Sequence, residues 1–429
     1  MKIRQTTNQG STLLITLVTV GIIGLYMAAY LNLVSNQNLA ITRSVHWNSA
    51  IPIAEAGIEE ALTHLQFNPF DREANGWTVD ERGYTKERHL GEGKYVVTIS
   101  TNYSPDIVSK AYVRKPLSSD YLFAPRAVKV VLTNLAVFAK GMVAKGKITL
   151  SGNVQTDSFD SDDPNYSTNG QYDPAKRRDH GDIGSNGIIE NSIESSGSVK
   201  VYGRISTGPG GAVGFSGDVS VGSQPWVNEG NTGIQPGWSS DDMNVQFPNV
   251  ELPFTGGAMS PGPGTVGLTN YSYVLTTGDW ELSNLSLSGQ QKVVVAGDAI
   301  LLVTGDVSMS GQSYIYISTN SSFKLYVGGS TSISGQGVAN GTGKAINFNY
   351  YGLPSNQAVN FSGNSGFIGT IYAPNAEFKL SGGGSDSVDF VGASITGQVT
   401  MSGHYNFHFD ESLLKGPTRG FAIVSWNEL

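Results

Sequence analysis

The residues best suited to chemistry form a run of carboxylates, Asp157-Ser158-Phe159-Asp160-Ser161-Asp162-Asp163, because hard oxygen ligands close together in sequence suit calcium. The run departs from the EF-hand pattern. Counted from Asp160, Pro164 falls at a ligand position and Asn165 stands where the loop glycine belongs. The expectation is a turn-rich insertion capping the first strands, with no metal or cofactor assigned. Glycoside hydrolysis needs two facing carboxyls roughly 5 to 9.5 Å apart, yet no Asp or Glu occurs between Val307 and Ala376. Asp279, Glu281, Asp298 and Asp306 lie near turns, where aspartate has a structural reason to be. His404 and His408 would stand about 13 Å apart along a strand, too far to share one ion, and are expected on the surface opposite Phe407 and Phe409. Gly141 to Lys147 has P-loop spacing, but Ile148 replaces the required hydroxyl residue and an alternating strand follows where a helix should begin. Gly343-Lys344 is followed by Ala345, and no Gly-x-Ser-x-Gly elbow occurs. No catalytic residue is therefore assigned, and the expectation is a protein that is not an enzyme.

The elements that carry these residues follow from composition. The 429 residues include 54 glycines and no cysteine, with 14% charged residues. That excludes disulfides and cysteine-ligated metals and suggests many strands broken by turns. The formal net charge of −8 with scattered Lys and Arg leaves no footprint for nucleic acid. The remaining functional material is aromatic: Trp226, Trp238, Tyr271, Tyr273, Trp280, Tyr314, Tyr316, Tyr350 and Tyr351 could stack on sugars or proteins, or fill the core. Tyr314 and Tyr316 share one strand face and so must point together, inward or outward.

Ser11 to Val34 carries no charge, enough apolar helix to cross the roughly 30 Å hydrocarbon core of a bilayer. Lys2 and Arg4 precede it and no acidic residue appears before Glu55, so the short basic end stays in the cytoplasm and the rest is exported. The stretch is too long for an ordinary cleavable signal peptide. Helical spacing continues beyond it, with Leu39, Val45, Ile53, Ala56, Ile58 and Leu62 as an intermittent apolar face, and Pro52 is expected to kink or break the helix.

The leader ending in Gly10, the apolar run from Leu13 and the block Ala54-Glu55-Ala56-Gly57-Ile58-Glu59-Glu60-Ala61-Leu62 resemble the N-terminal domain of PilX-type minor pilins, over about residues 4 to 66. The resemblance implies that a prepilin peptidase cuts between Gly10 and Ser11, that Ser11 becomes a methylated N-terminus, and that the helix passes from the inner membrane into a filament core among other pilins or pseudopilins. Ile15 stands where the usual fifth-position glutamate belongs, a departure shared with PilX-like and K-type tip pseudopilins and pointing to a minor or tip subunit.

Residues 67–126 read as a small transition domain of short strands and solvated charge. From residue 127 to 413, short alternating strands are punctuated by Ser-Gly pairs, the last five intervals spanning about 19 to 28 residues, in the range of solenoid coils. Such coils must stack to share a core, and recurrent Ser-Gly-Asn or Ser-Gly-Gln suggests polar side-chain ladders. About twelve coils at roughly 4.8 Å would span about 55 to 60 Å. A β-sandwich is the competing fold. Asp157 to Ser161, the Leu-Ser-Gly and Ile-Ser-Gly repeats, Tyr326 to Gly329, Ile371 to Ala376, Phe407 to Leu413 and Val424 to Leu429 resemble the β-helical C-terminal domain often fused to PilX-like N-termini, a family of unassigned function. The expected fold is mainly β: a pilin-like helix, the transition region, a right-handed parallel β-helix and a C-terminal strand over 414–429. The expected role is pilus assembly, priming or tip display, with adhesion to a cell-surface or polysaccharide ligand. The alternatives are an anchored β-helix carbohydrate-active enzyme and an envelope adhesin outside any filament.

Overall fold

A computed structural model describes residues 9–67, 74–81, 83–91, 93–101, 105–114, 125–334, 336–363, 366–382, 388–415 and 418–429. The chain divides into two units, Met1–Leu135 with Thr418–Leu429, and Ala136–Pro417. The fold is mainly β, with one long N-terminal helix and extensive parallel pairing.

In the first unit the helix Gln9–Phe67 runs 59 residues without a break at Pro52, about 88 Å at 1.5 Å per residue. The proline removes one backbone donor, but its side chain faces solvent and the turns around it are held by packing. Ala50, Ala54, Ile58, Ala61 and Leu65 form the buried stripe, spaced for one helical face. Leu39 and Val45 are exposed, and Ile53, Ala56 and Leu62 pack at the margin. The stripe lies on an antiparallel sheet of Thr78–Asp80, Gly83–Leu90, Gly93–Ile99, Asp106–Val113, Arg126–Ala136 and Thr418–Glu428. Small residues permit close approach: a Cβ on Gly57 would stand 2.3 Å from Ser109 Oγ and 2.9 Å from the Tyr95 ring. Beside it Glu60 accepts from the Tyr95 hydroxyl and pairs with Lys86 at 2.8 Å and Arg88 at 3.1 Å. Burial and then the Glu60 carboxylate push the Tyr95 hydroxyl up to about 12.

The sequence reading put residues from 127 with the repetitive region and left the last strand apart. Both belong instead to the first unit's sheet, because Val128, Val130 and Leu132 alternate into the core under the helix. Arg126 ties the two strands by forking onto Glu428, and its guanidinium lies 5.4 Å from the Trp47 ring centre.

The second unit is built from two parallel files of strands, each ten rows deep, and a shorter file of four. Taking one file in spatial order, rows one to six are Gly278–Leu282, Asp298–Val303, Ser322–Val327, Phe348–Gly352, Phe367–Gly382 and Val388–Asp410. Row seven is Met142–Ala144, followed by Ile183–Ser185, Ile205–Ser206 and Ser239–Ser240. The earliest strands of this unit thus stack beyond its latest. At the seam, Val399 through Asp410 pairs in unbroken register with Ile148 through Phe159.

Residues 241–263 explain this order. They leave row ten and run back over the stack as a strap. Met243 N–H donates to the Thr207 carbonyl at 2.9 Å, Tyr372 Oη donates to the Pro248 carbonyl at 2.9 Å, and Asn375 meets Asn249 at 2.9 Å. Val250 then packs with Leu302 and Leu353, Phe254, Tyr326 and Tyr351 pack against that cluster, and Met259 pairs with the row-one backbone at Asp279 and Glu281.

The Ser-Gly repeats do fall at one phase: glycines 363, 382, 403, 152, 197 and 217 occupy successive rows. Along these rows the ladder is made by backbone, and a polar side-chain rung of the expected kind forms at another Ser-Gly-Gln pair, where Gln290 Nε2 donates to Gln312 Oε1 at 3.5 Å. Gly152, Gly197, Gly217 and Gly403 have φ of 95°, 93°, 97° and 106°, a region that favours glycine, and a Cβ on Gly152 would stand 2.5 Å from the Gly403 carbonyl oxygen. Ser151 Oγ donates at 3.2 Å to the Met401 carbonyl rather than to another serine. Inside, Phe323, Phe348, Phe367 and Phe390 succeed one another in rows three to six, and Phe407 stacks on Phe390 within row six, centroids 4.5 to 5.7 Å apart.

Candidate functional site

The first part of the long helix is an exposed surface with a chemical character of its own. An 18-residue window has mean hydropathy 2.1 and none of it is buried. Leu13, Leu14, Leu17, Leu25 and Tyr26 are all well exposed, and leaving one such side chain in water forgoes about 2 kcal/mol. The hydroxyls of Thr16 and Thr19 donate to the Leu13 and Ile15 carbonyls at 2.9 and 2.7 Å, so they add no unsatisfied donor to an apolar medium. This surface suits lipid or other apolar helices. Residues 1–8 of the predicted leader lie outside the described residues. Gly10 and Ser11 lie in the first turn of the helix.

The second cluster lies at the seam. Alternation along the strand ending at Asp410 points His408 away from the core, and the sequence reading placed it on the surface. It is instead 1% exposed, because the insertion after Phe159 folds over it and Tyr172 stacks on its ring at 3.5 Å. Nδ1 meets Asp157 at 2.5 Å, and Nε2 lies 3.4 Å from Asp389. Tyr172 Oη and Gln155 Nε2 donate to the other Asp157 oxygen at 2.6 and 2.9 Å. Burial opposes charge on His408, but the two carboxylates outweigh it and lift its pKa to about 8. Burial of Asp389 is likewise outweighed by His408, which holds that carboxyl below its usual range. Around this ion triad, Glu411 pairs with Arg178 at 2.5 Å and His180 at 3.1 Å, Ser158 Oγ donates to Glu411 at 2.7 Å, and Lys415 reaches Asp160 at 3.3 Å. His408–Asp157 and the contacts of Glu411 and Lys415 join the start of the unit to its end.

The acidic run is thus spent on separate partners: Asp157 on His408, Asp160 on Lys415, Asp162 on Lys344 at 2.8 Å, and Asp163 on Asn165 at 2.9 Å. Among the described residues no group of three or more His, Asp or Glu side chains converges as a metal site. Nor does the run cap the first coil of the stack. Its strand is paired on both edges, so the insertion braces the middle of the file. Fully buried Asp157 lies behind His408 and Tyr172, so the His408–Asp157 pair pins row six to the row beside it.

A groove of about 510 Å³ opens beside the triad. It exists because the strand Gly337–Asn340 and the turn after it carry small residues, with Ala339, Gly341 and Gly343 on one side and Tyr316 on the other. A separate polar groove of about 310 Å³ has Gln155, Lys200, His404 and Asn406 along its wall. Of the aromatics singled out from sequence, Tyr350 is buried and Tyr351 stacks on Tyr326 at 4.7 Å. Trp226, Trp238, Tyr271, Tyr273 and Trp280 are half-buried, while Tyr314 and Tyr316 point outward together. Asp279, Glu281 and Asp298 are exposed, and Asp298 and Asp306 accept turn hydrogen bonds from Ser322 and the Ser330 backbone. After the P-loop-like segment comes the strand Ile148–Phe159, with Lys147 paired to Glu194. Sequence reasoning missed the triad because its three members are far apart in the chain.

A family described as a domain of unknown function (DUF7305) matches residues 262–415, which are rows one to six of the stack with the hairpin before them. No curated protein matches the chain. Among solved structures, the crystal structure of the competence-associated pilin ComZ from Thermus thermophilus is similar at 12% identity and a TM-score of 0.25, over 90% of this chain and 97% of that one. At that score the likeness carries no weight for fold or role.

Proposed function

We propose that the chain is a non-enzymatic, PilX-type minor pilin-like subunit of a type IV pilus or related filament, acting in assembly or tip display. The observation that carries the reading is the division of labour along one helix. Its first part is charge-free and wholly exposed, while its last part is docked on an antiparallel sheet through Ala54, Gly57, Ile58 and Ala61. Such a helix is anchored at one end and free at the other to pass from bilayer to a bundle of like helices, without disturbing the exported units. In this reading prepilin peptidase cuts after Gly10, Ser11 becomes the methylated N-terminus, the N-terminus begins in the cytoplasm, and a single span crosses the inner membrane. The three parallel files are the walls of a right-handed β-helix, a reading supported by their continuous parallel register and shared aromatic core. That β-helix presents an adhesive surface outward.

Replacing Gly10 by leucine tests the processing step. The wild-type protein should have the mass of the chain from Ser11 onward plus one methyl group, and the variant should keep the full leader. Equal masses for the two would overturn the reading.

A further inference from the structure

We infer that the groove between Tyr316 and the His408 pin binds a neutral saccharide. The inference gives the proposed adhesive display its ligand class and rests on that reading for its biological role. The groove's volume of about 510 Å³ lies within the range of about 300 to 1,000 Å³ common to small-molecule sites. Its apolar floor is formed by half-buried Ile368 and by Val391, with the core residues Val338 and Phe367 beneath them, and suits the C–H face of a pyranose ring. The Tyr316 ring is a half-exposed aromatic wall, whereas its strand neighbour Tyr314 has Lys292 over its ring at 5.5 Å and does not line the groove.

Polar groups rim this floor. The amides of Gln171 and Gln336 and the hydroxyl of Tyr316 make no hydrogen bond among the described residues, and an amide's paired donor and acceptor match vicinal hydroxyls. Asn340 is different, for its side chain is spent on the Lys344 and Ile368 carbonyls and on Thr342. Gln171 lies so close over Gly343 that a Cβ there would stand 1.8 Å from its Nε2, so bare backbone makes room for it. Among the described residues the charge on the rim is Asp389, pinned to His408 at 3.4 Å, and no Lys or Arg lines the groove. That charge distribution disfavours acidic sugars and phosphate.

The test is a glycan array probed with the full-length chain in a zwitterionic, sugar-free detergent, followed by titration of each retained oligosaccharide. Neutral oligosaccharides should bind. Tyr316→Ala and Ala339→Trp, both at outward positions, should each weaken binding about tenfold or more without moving the melting temperature, while Tyr314→Ala leaves binding unchanged. Retention of acidic glycans alone, no retention at all, or binding indifferent to both groove variants would overturn the inference. Recovery of the protein in sheared filaments without glycan binding rejects the groove and leaves the filament reading standing. Binding by a protein absent from filaments does the reverse.

Discussion

The His408 pin makes a pH-dependent prediction whose sign follows from its surroundings. The imidazole has a pKa of about 8 in the folded chain against 6.5 ordinarily. Because the folded value is the higher, the pin's stabilisation is full below pH 6.5 and is lost as pH rises through 8. At about 1.4 kcal/mol per unit the loss approaches about 2 kcal/mol, or about 3 °C in melting temperature for a unit of this size. His180, raised in the same direction by its hydrogen bond to Glu411, titrates with the same sign, so His180→Gln serves as a background in which the slope due to His408 remains. Asp157→Asn should flatten that slope and lower stability at pH 6 by about 3 kcal/mol or more, since a buried cation loses its nearest counter-charge. The assay is thermal unfolding of the full chain in detergent from pH 6 to 9, reading the cooperative transition of the second unit. A melting temperature flat across that range in the His180→Gln background, or an Asp157→Asn variant with an unchanged slope, would refute the reasoning.

Other substitutions test the packing. Gly152→Ala places a Cβ 2.5 Å from the Gly403 carbonyl oxygen at a φ of 95°, so its urea midpoint should fall by the equivalent of about 2 kcal/mol or more, whereas Ser151→Ala should cost under about 1.5 kcal/mol. Gly57→Val should lift the helix from Ser109 and Tyr95 and destabilise the first unit by about 3 kcal/mol, seen as loss of amide-exchange protection in Gly93–Ile99 and Asp106–Val113. Glu60→Gln removes the carboxylate beside Tyr95, and absorbance titration should then find that phenol below its present value of about 12.

Much of this architecture was legible because its signals are local. The charge-free run, the alternation in the strands and the phase of the Ser-Gly pairs each follow from steric or solvation rules acting over a few residues. Stacking order was not legible, because it is a choice of partner. The strand Ile148–Phe159 alternates equally well for the neighbour that follows it in sequence and for Val399 through Asp410, and only the strap, which has no period of its own, places the second beside it. His408 shows the same limit: alternation gave its direction from the core correctly, but whether that side was open depended on an insertion that begins 249 residues earlier, at Phe159. Nothing local in the sequence marks the small residues around Ala339, and they become a groove only because Tyr316 stands in the adjacent row.

The most direct test of the central claim is to locate the mature protein. Cells should be sheared and the filament fraction separated from membranes, with the chain quantified by mass spectrometry in each. The account predicts peptides starting at a methylated Ser11 in the sheared filaments at low abundance relative to the major subunit. Finding the chain only in membranes, with the residues before Ser11 still attached, would contradict it.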